Sequence, residues 1–115
     1  MDLDFQEKFR SCIKKIGEIG EAYAEAKGQS WQQQELKSAV LASIIQSLGE
    51  MPVSKAEIVA KASEEYKQFI QETSEAIKKE LRLKSEYEKW KSSFEALRSL
   101  SSLEKATRHL SEPSE

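Results

Sequence analysis

The feature that most constrains this chain is a long segment without helix breakers: between Ser54 and Glu112 there is neither a glycine nor a proline. Ser54 and Glu57 have the spacing of a capping box, and nothing after them obliges a helix to stop. We therefore predict one long helix over residues 54–110, with a break near residues 99–102 as the alternative. Residues 111–115 are expected to form a frayed tail. At about 1.5 Å per residue, this helix is roughly 85 Å long.

Apolar residues recur along this predicted helix at alternating steps of three and four, like the a and d positions of a heptad repeat. Only Glu80 interrupts the stripe with a charge. The stripe consists of Val59, Ala62, Tyr66, Phe69, Thr73, Ala76, Leu83, Tyr87, Trp90, Phe94 and Leu97.

The N-terminal part predicts two shorter helices. An apolar face runs from Phe5 to Ala26 in a helix over residues 4–27, and Gly28 is placed to cap its end. A second helix is predicted over residues 31–48, with Ser30 and Gln33 as its capping box and Gly49 and Pro52 as its stop. Four Gly, two Pro and no Asn argue against a hairpin-rich all-β fold. The predicted fold is all-α and forms one folding unit: a helical hairpin over residues 1–53 packed on the long helix.

Helix one, at about 36 Å, covers only the first half of the long helix in this prediction. The second half, which also carries Leu81, Leu100 and Leu103, is then left without a partner in its own chain. Exposed apolar patches of this size are rare in monomers, and two-fold dimers are the commonest assembly. We therefore predict coiled-coil-like self-association, with a dimer favoured. The residues expected to form the contact are Leu83, Tyr87, Trp90, Phe94 and Leu97.

The residue types and their spacing give little support for a catalytic or metal-binding site. The single thiol, Cys12, falls on the apolar face of helix one, and the single imidazole, His109, lies close to the C-terminus. Gly17 and Gly20 follow no strand, so they suit a close helix contact or a weak point in the helix rather than a phosphate loop. Carboxylate pairs such as Glu72 and Glu75 suit a solvated surface better than a metal site. We expect no catalytic residues, no metal and no cofactor, and a protein that is not an enzyme.

Basic residues make one region locally cationic. Lys84, Lys91, Arg98 and Lys105 recur every seven residues beside Tyr87 and Trp90, a combination found on surfaces that bind single-stranded nucleic acid. The same positions are e positions of the heptad, where ion pairs between helices are expected, and this second interpretation is favoured. The formal net charge of −2 supplies no long-range attraction for nucleic acid or anionic lipid.

Two short motifs resemble a family of small helical proteins encoded by tailed phages and prophages. Glu57, Ala60, Ser63 and Tyr66 have the spacing E-x-x-A-x-x-S-x-x-Y, and they are followed by a long polar helix and then by Trp90, Lys91, Ser92 and Arg98. Genes of this family often lie near recombination or replication functions, so the resemblance implies an accessory role in DNA metabolism. Lys91 stands where Arg is common in the family, which argues against a bidentate phosphate contact there.

The residues and the resemblance together predict a non-enzymatic, phage-derived accessory protein that acts through protein–protein contacts in DNA recombination or replication. One alternative is a single-stranded nucleic-acid-binding accessory protein that uses Lys84, Lys91 and Arg98. Another is an inhibitor of a host nuclease or defence enzyme, for which the acidic face of helix one is suited. The acidic opening lacks the features of a signal peptide, and the longest apolar run is only residues 39–45. A cytoplasmic location in a bacterial host, without a membrane partner, is therefore expected.

Overall fold

The computed structural model describes residues 3–111, which form four helices: α1 (Leu3–Glu35), α2 (Lys37–Ser47), α3 (Val53–Ala62) and α4 (Glu64–Ser111). No strand occurs within this range. The predicted all-α class, with an N-terminal helix packed against a long C-terminal helix, is confirmed. The residues form two compact units, each containing parts of α1 and α4. The first unit is built from the described parts of Met1–Ala22 and Leu83–Glu115, and the second from Tyr23–Arg82.

Helix α1 is longer than its sequence predicts, because Gly28 does not end it. Gly28 lies inside the helix with open space around its Cα. The three- and four-residue spacing of covered positions continues past Gly28, since Ala26 and Ser30 are both buried. The hydroxyl of Ser30, which was predicted to cap a second helix, instead accepts a hydrogen bond from Gln34 Nε2 at 3.0 Å. Burial along this face therefore outweighs the cost of a glycine within a helix, which is about 1 kcal/mol.

The chain passes from α1 to α2 with almost no interruption. Leu36 keeps right-handed helical dihedral angles, its N–H donates to Gln32 O, and its own carbonyl accepts from Val40 N–H. The turn that the sequence predicts at Gly28 is therefore absent. The stop that it predicts after residue 48 is confirmed: α2 ends at Ser47, and Gly49 has a positive φ of 77°, a conformation that suits glycine.

The core of the second unit lies around α2, α3 and the start of α4. Ile44, Ala60 and Tyr66 are buried together, and Ala60 has 0% exposure. Three partly buried side chains of α2 and that of its C-cap residue pack against them: Val40, Leu41, Ile45 and Leu48. The small Ala60 lets the surrounding side chains approach closely.

Ser63 divides the predicted long helix into α3 and α4. Its extended backbone, with φ −68° and ψ 151°, cannot continue a helix. Its hydroxyl donates to Ala60 O at 2.6 Å and accepts from Tyr66 N–H at 3.2 Å, so it serves the end of one helix and the start of the next. Glu64 and Glu65 follow in the first turn of α4, where negatively charged side chains interact favourably with the helix dipole. The heptad register changes at this point, and Val59 and Ala62 of the predicted stripe are exposed.

The other predicted boundaries of the long helix also differ. The capping box predicted at Ser54 does not form, because α3 begins at Val53 with Pro52 as its N-cap residue and without a side-chain cap. The alternative break near residues 99–102 is absent, and α4 is continuous from Glu64 to Ser111. Of the predicted frayed tail, Ser111 is the last residue of α4, and residues 112–115 lie outside the described residues.

Replacing Ser63 with alanine should lower the free energy of unfolding by about 0.5–2 kcal/mol, because Tyr66 N–H then loses its acceptor at the helix start. Urea denaturation followed by circular dichroism measures this loss. Ser74→Ala is the matched control, since Ser74 is exposed within α4 and alanine is at least as favourable there. Equal effects of the two substitutions would contradict the capping role of Ser63.

Candidate interaction surfaces of the first unit

The first unit is held together by an antiparallel contact between α1 and α4, which we call the seam. The rings of Phe9 and Phe94 meet edge to face with centroids 5.2 Å apart. The thiol of Cys12 lies 3.9 Å from the carbonyl oxygen of Trp90. As the residue number rises along α1, that of its neighbour on α4 falls, so the two helices run in opposite directions.

The α1 side of the seam follows a regular heptad pattern, with covered residues at steps of four and three. These are Phe5, Phe9, Cys12, Ile16 and Ile19. Ile13, which follows Cys12 in the sequence, lies outside this pattern and is 55% exposed. Gly20 lies close to α4, since a Cβ atom added there would be 3.1 Å from Tyr87 Cε2. The close helix contact suggested for Gly20 is confirmed, whereas Gly17 has open space around it.

The five residues predicted to mediate self-association all belong to α4 and are partly buried: Leu83, Tyr87, Trp90, Phe94 and Leu97. The expectation that this part of α4 has no partner in its own chain is wrong, because Tyr87, Trp90 and Phe94 contact α1. That expectation placed helix one against the first half of the long helix. In the structure, the N-terminal part of α1 lies against the C-terminal half of α4. Self-association through these five residues remains a prediction.

The four basic residues of the seven-residue repeat are exposed on α4: Lys84, Lys91, Arg98 and Lys105. Lys91 Nζ lies 5.3 Å from the centroid of the Tyr87 ring, and Arg98 Nη1 lies 3.4 Å from Glu95 Oε1. This places the middle of the row beside the seam, as the e positions of a heptad require. We call these four residues the basic row.

A second regular stripe lies beside the seam on α4, and we call it the outer stripe. Its residues follow one another at steps of three and four, carry no charge and are all exposed: Ser93, Ala96, Leu100, Leu103, Thr107 and Leu110. Leu100 and Leu103 are 56% and 64% exposed, although Phe5 of α1 lies at the same groove. The spacing of this stripe is visible in the sequence, but the self-association contact was assigned to the stronger aromatic stripe next to it.

An open groove connects the seam to the outer stripe. It has a volume of about 570 Å³, and its apolar floor includes Cys12, Trp90 and Leu97. Ser93, Ala96 and Leu100 form its α4 wall, and α1 contributes polar and charged residues: Asp4, Glu7, Lys8 and Ser11. Small side chains on one wall and an apolar floor are features that let another helix pack closely.

The candidate catalytic residues are not brought together. Cys12 is buried in the seam, whereas His109 is exposed in the last turn of α4. The acidic residues Glu18, Glu21 and Glu25 are exposed on α1. Within residues 3–111, no cluster of three His, Cys, Asp or Glu side chains has the arrangement of a metal site.

Comparison of the chain with protein-family models, with curated proteins and with solved structures found no match. No helix in the described part of the chain has an apolar stretch long enough to cross a membrane.

The two glycines of α1 should respond differently to substitution. Gly17→Ala should raise the free energy of unfolding by up to about 1 kcal/mol, because alanine is the better helix former and space is available. Gly20→Ala should gain less or lose stability, because its Cβ would press on the Tyr87 ring. Thermal or urea denaturation of both variants compares them directly, and an equal gain would contradict the close contact.

The cover of Trp90 by α1 should be independent of protein concentration. In a Trp31→Phe variant, acrylamide should quench Trp90 less efficiently than it quenches Trp31 in a Trp90→Phe variant, since Trp31 is 65% exposed. Quenching is measured over a dilution series. A Trp90 signal that becomes as accessible as that of Trp31 on dilution would show that another copy, and not α1, provides the cover.

Proposed function

We propose that this chain is a non-enzymatic interaction protein that self-associates through the outer stripe and brings protein partners together. The observation that carries the proposal is the outer stripe itself, a regular uncharged stripe whose three leucines stay exposed beside α1. A phage origin and an accessory role in DNA recombination or replication belong to the same proposal. They rest on the resemblance carried by residues 57–98.

The flanks of the outer stripe favour a second copy as its partner. On one side the stripe is bordered by small, uncharged residues: Ser92, Ser99 and Ala106. On the other side are Trp90, Leu97 and Glu104, and the carboxylate of Glu104 lies 2.9 Å from Arg108 Nη2. A symmetric pairing of two α4 helices therefore brings few like charges of α4 together and lets the two backbones approach closely, with Asp4, Glu7 and Lys8 of α1 at the edge of the contact.

The proposed contact lies next to the one predicted from the sequence, which remains a prediction. Trp90 and Leu97 lie in the floor of the groove, next to Leu100. A second copy that packs on the outer stripe would also cover their remaining exposed surface. Two copies of the antiparallel α1–α4 pair that pack in this way form a four-helix arrangement, in which each helix contributes one apolar face to a shared core.

The exposed basic row also favours binding of an anion, but the neighbouring rings are poorly placed to stack on bases. Tyr87 lies between Gly20 and the Lys91 ammonium, and Phe94 receives the ring of Phe9. Stacking on single-stranded nucleic acid requires accessible ring faces. These contacts give a protein partner more support than a nucleic acid.

Leu103→Lys should convert the dimer into a monomer. The change removes two leucines from the contact and places two cations near the two-fold axis. Loss of about 1.5–3 kcal/mol for each buried leucine weakens the dimer by a factor on the order of 10² to 10⁴. Sedimentation equilibrium or light scattering over a concentration series measures the dissociation constant.

Ile58→Lys is the matched control, because Ile58 is 71% exposed on α3 and lies outside the outer stripe. It introduces the same charge and should leave the dimer intact. Helix content by circular dichroism should be unchanged in both variants, because both sites are exposed. A wild-type chain that stays monomeric at high micromolar concentration would refute self-association.

A further inference from the structure

A second groove lies on the opposite flank of the seam from the outer stripe. It has a volume of about 300 Å³, and its apolar residues include Ile13, Ile16 and Phe94. Lys91 and Glu95 of α4 form its polar edge. Because the basic row occupies e positions while Ser93 and Leu100 occupy g positions, the two grooves are on different sides of α4. We call this one the Ile13 groove.

The α1 wall of the Ile13 groove suits the close approach of a helix. Ile13 projects from it with 55% exposure, and Gly17 follows one turn later with open space around it. Arg10, the preceding exposed residue at this side of α1, is a cation. No carboxylate of α1 lines the groove, so this wall offers an apolar contact without negative charge.

The α4 edge of the groove supplies positive charge at regular intervals. The basic row places one cation every two helical turns, and all four side chains are exposed. Glu95 lines the groove and pairs with Arg98, and Glu88 is exposed between Lys84 and Lys91. The four cations and these two carboxylates leave this edge of α4 with a net charge of about +2 beside an apolar floor.

We infer that the Ile13 groove binds an acidic amphipathic helix of another protein. The apolar side of that helix packs on Ile13 and Phe94, and its carboxylates, spaced about seven residues apart, face Lys84, Lys91 and Arg98. Charge complementarity of this kind selects among helices that are equally apolar. The inference rests on the proposed function, because it names the class of partner that the self-associating protein recruits.

A second copy of the chain does not supply such a helix. Its exposed apolar surface in this unit, the outer stripe, is bordered on one side by Ser92, Ser99 and Ala106, which carry no charge. The acidic residues of α1, such as Glu18 and Glu21, lie on a helix whose regular apolar stripe already faces α4. The occupant in this proposal is a different protein, and self-association and partner binding use separate surfaces.

The test is fluorescence anisotropy with a labelled 21-residue peptide that has leucine at its a and d positions and glutamate at its e and g positions. The full-length chain should bind this peptide, and the affinity should fall as salt rises from 50 to 300 mM, because ion pairs at the basic row are screened. A peptide of the same composition with its leucines scrambled should bind at least about ten times more weakly, because it has no apolar stripe to bury.

Two variants separate the charge from the apolar floor. Combined replacement of Lys84, Lys91 and Arg98 by glutamate should weaken binding at least about tenfold and abolish the loss of affinity with rising salt, because salt then screens a repulsion. Ile13→Gln should weaken binding several-fold with its salt dependence retained. The matched control reverses three exposed lysines of the second unit, Lys37, Lys55 and Lys79, and should bind the acidic peptide more tightly than the triple variant of the basic row does.

Three results would overturn the inference: no binding of the peptide at 50 mM salt, equal binding of the scrambled peptide, or tighter binding of a 20-residue oligothymidylate. The last result would identify the surface as a nucleic-acid site. Repeating the titration with the Leu103→Lys variant keeps the two proposals distinguishable. If the monomeric variant binds the peptide, the Ile13 groove is supported whatever the outcome for self-association. If the wild-type chain is a dimer but does not bind the peptide, self-association is supported and the partner inference is overturned.

Discussion

The seam between α1 and α4 is the contact on which the first unit depends. Neither helix segment has another described surface on which to bury its aromatic residues, so the pairs Phe9–Phe94 and Cys12–Trp90 fix both the direction and the register of the two helices. Because two helices enclose only a narrow strip, most large side chains of the seam stay partly exposed, and only Cys12 and Ile19 are buried there. The grooves on both flanks are a direct result of this geometry. They are the surfaces to which the proposed contacts are assigned.

The second unit buries its apolar side chains with short helices. The backbone turns at Gly49 and again at Ser63, so α2, α3 and the start of α4 can surround a small core in which Ala60 is fully covered. Ser63 replaces a regular helical residue, but its hydroxyl satisfies the backbone at both helix ends. Polar residues at such breaks prevent the loss of free energy that an unsatisfied buried backbone group would cause.

The sequence predicts several features of this fold correctly. Others depend on a balance between burial and local helix signals, which the sequence alone does not show. The heptad spacing from Tyr66 to Leu97 predicts the buried face of α4, and Gly49 predicts the end of α2. Gly28 was expected to stop α1, but the burial of Ala26 and Ser30 outweighs its weak preference for a cap. Ser63 followed by Glu64 and Glu65 is a recognisable helix start, which the absence of Gly and Pro obscured. The partner of the aromatic stripe was misassigned because apolar spacing gives the face of a helix but not which segment covers it.

Cys12 gives this molecule an internal probe of its own motions. Its side chain is 3% exposed, in the floor of the open groove and against the Trp90 carbonyl, so a thiol reagent reaches it mainly when the two helices separate locally. The rate of alkylation therefore reports how often the pair opens, without any added label. A ligand in the Ile13 groove would slow that reaction without touching the sulfur, because it would hold the helices closed for longer.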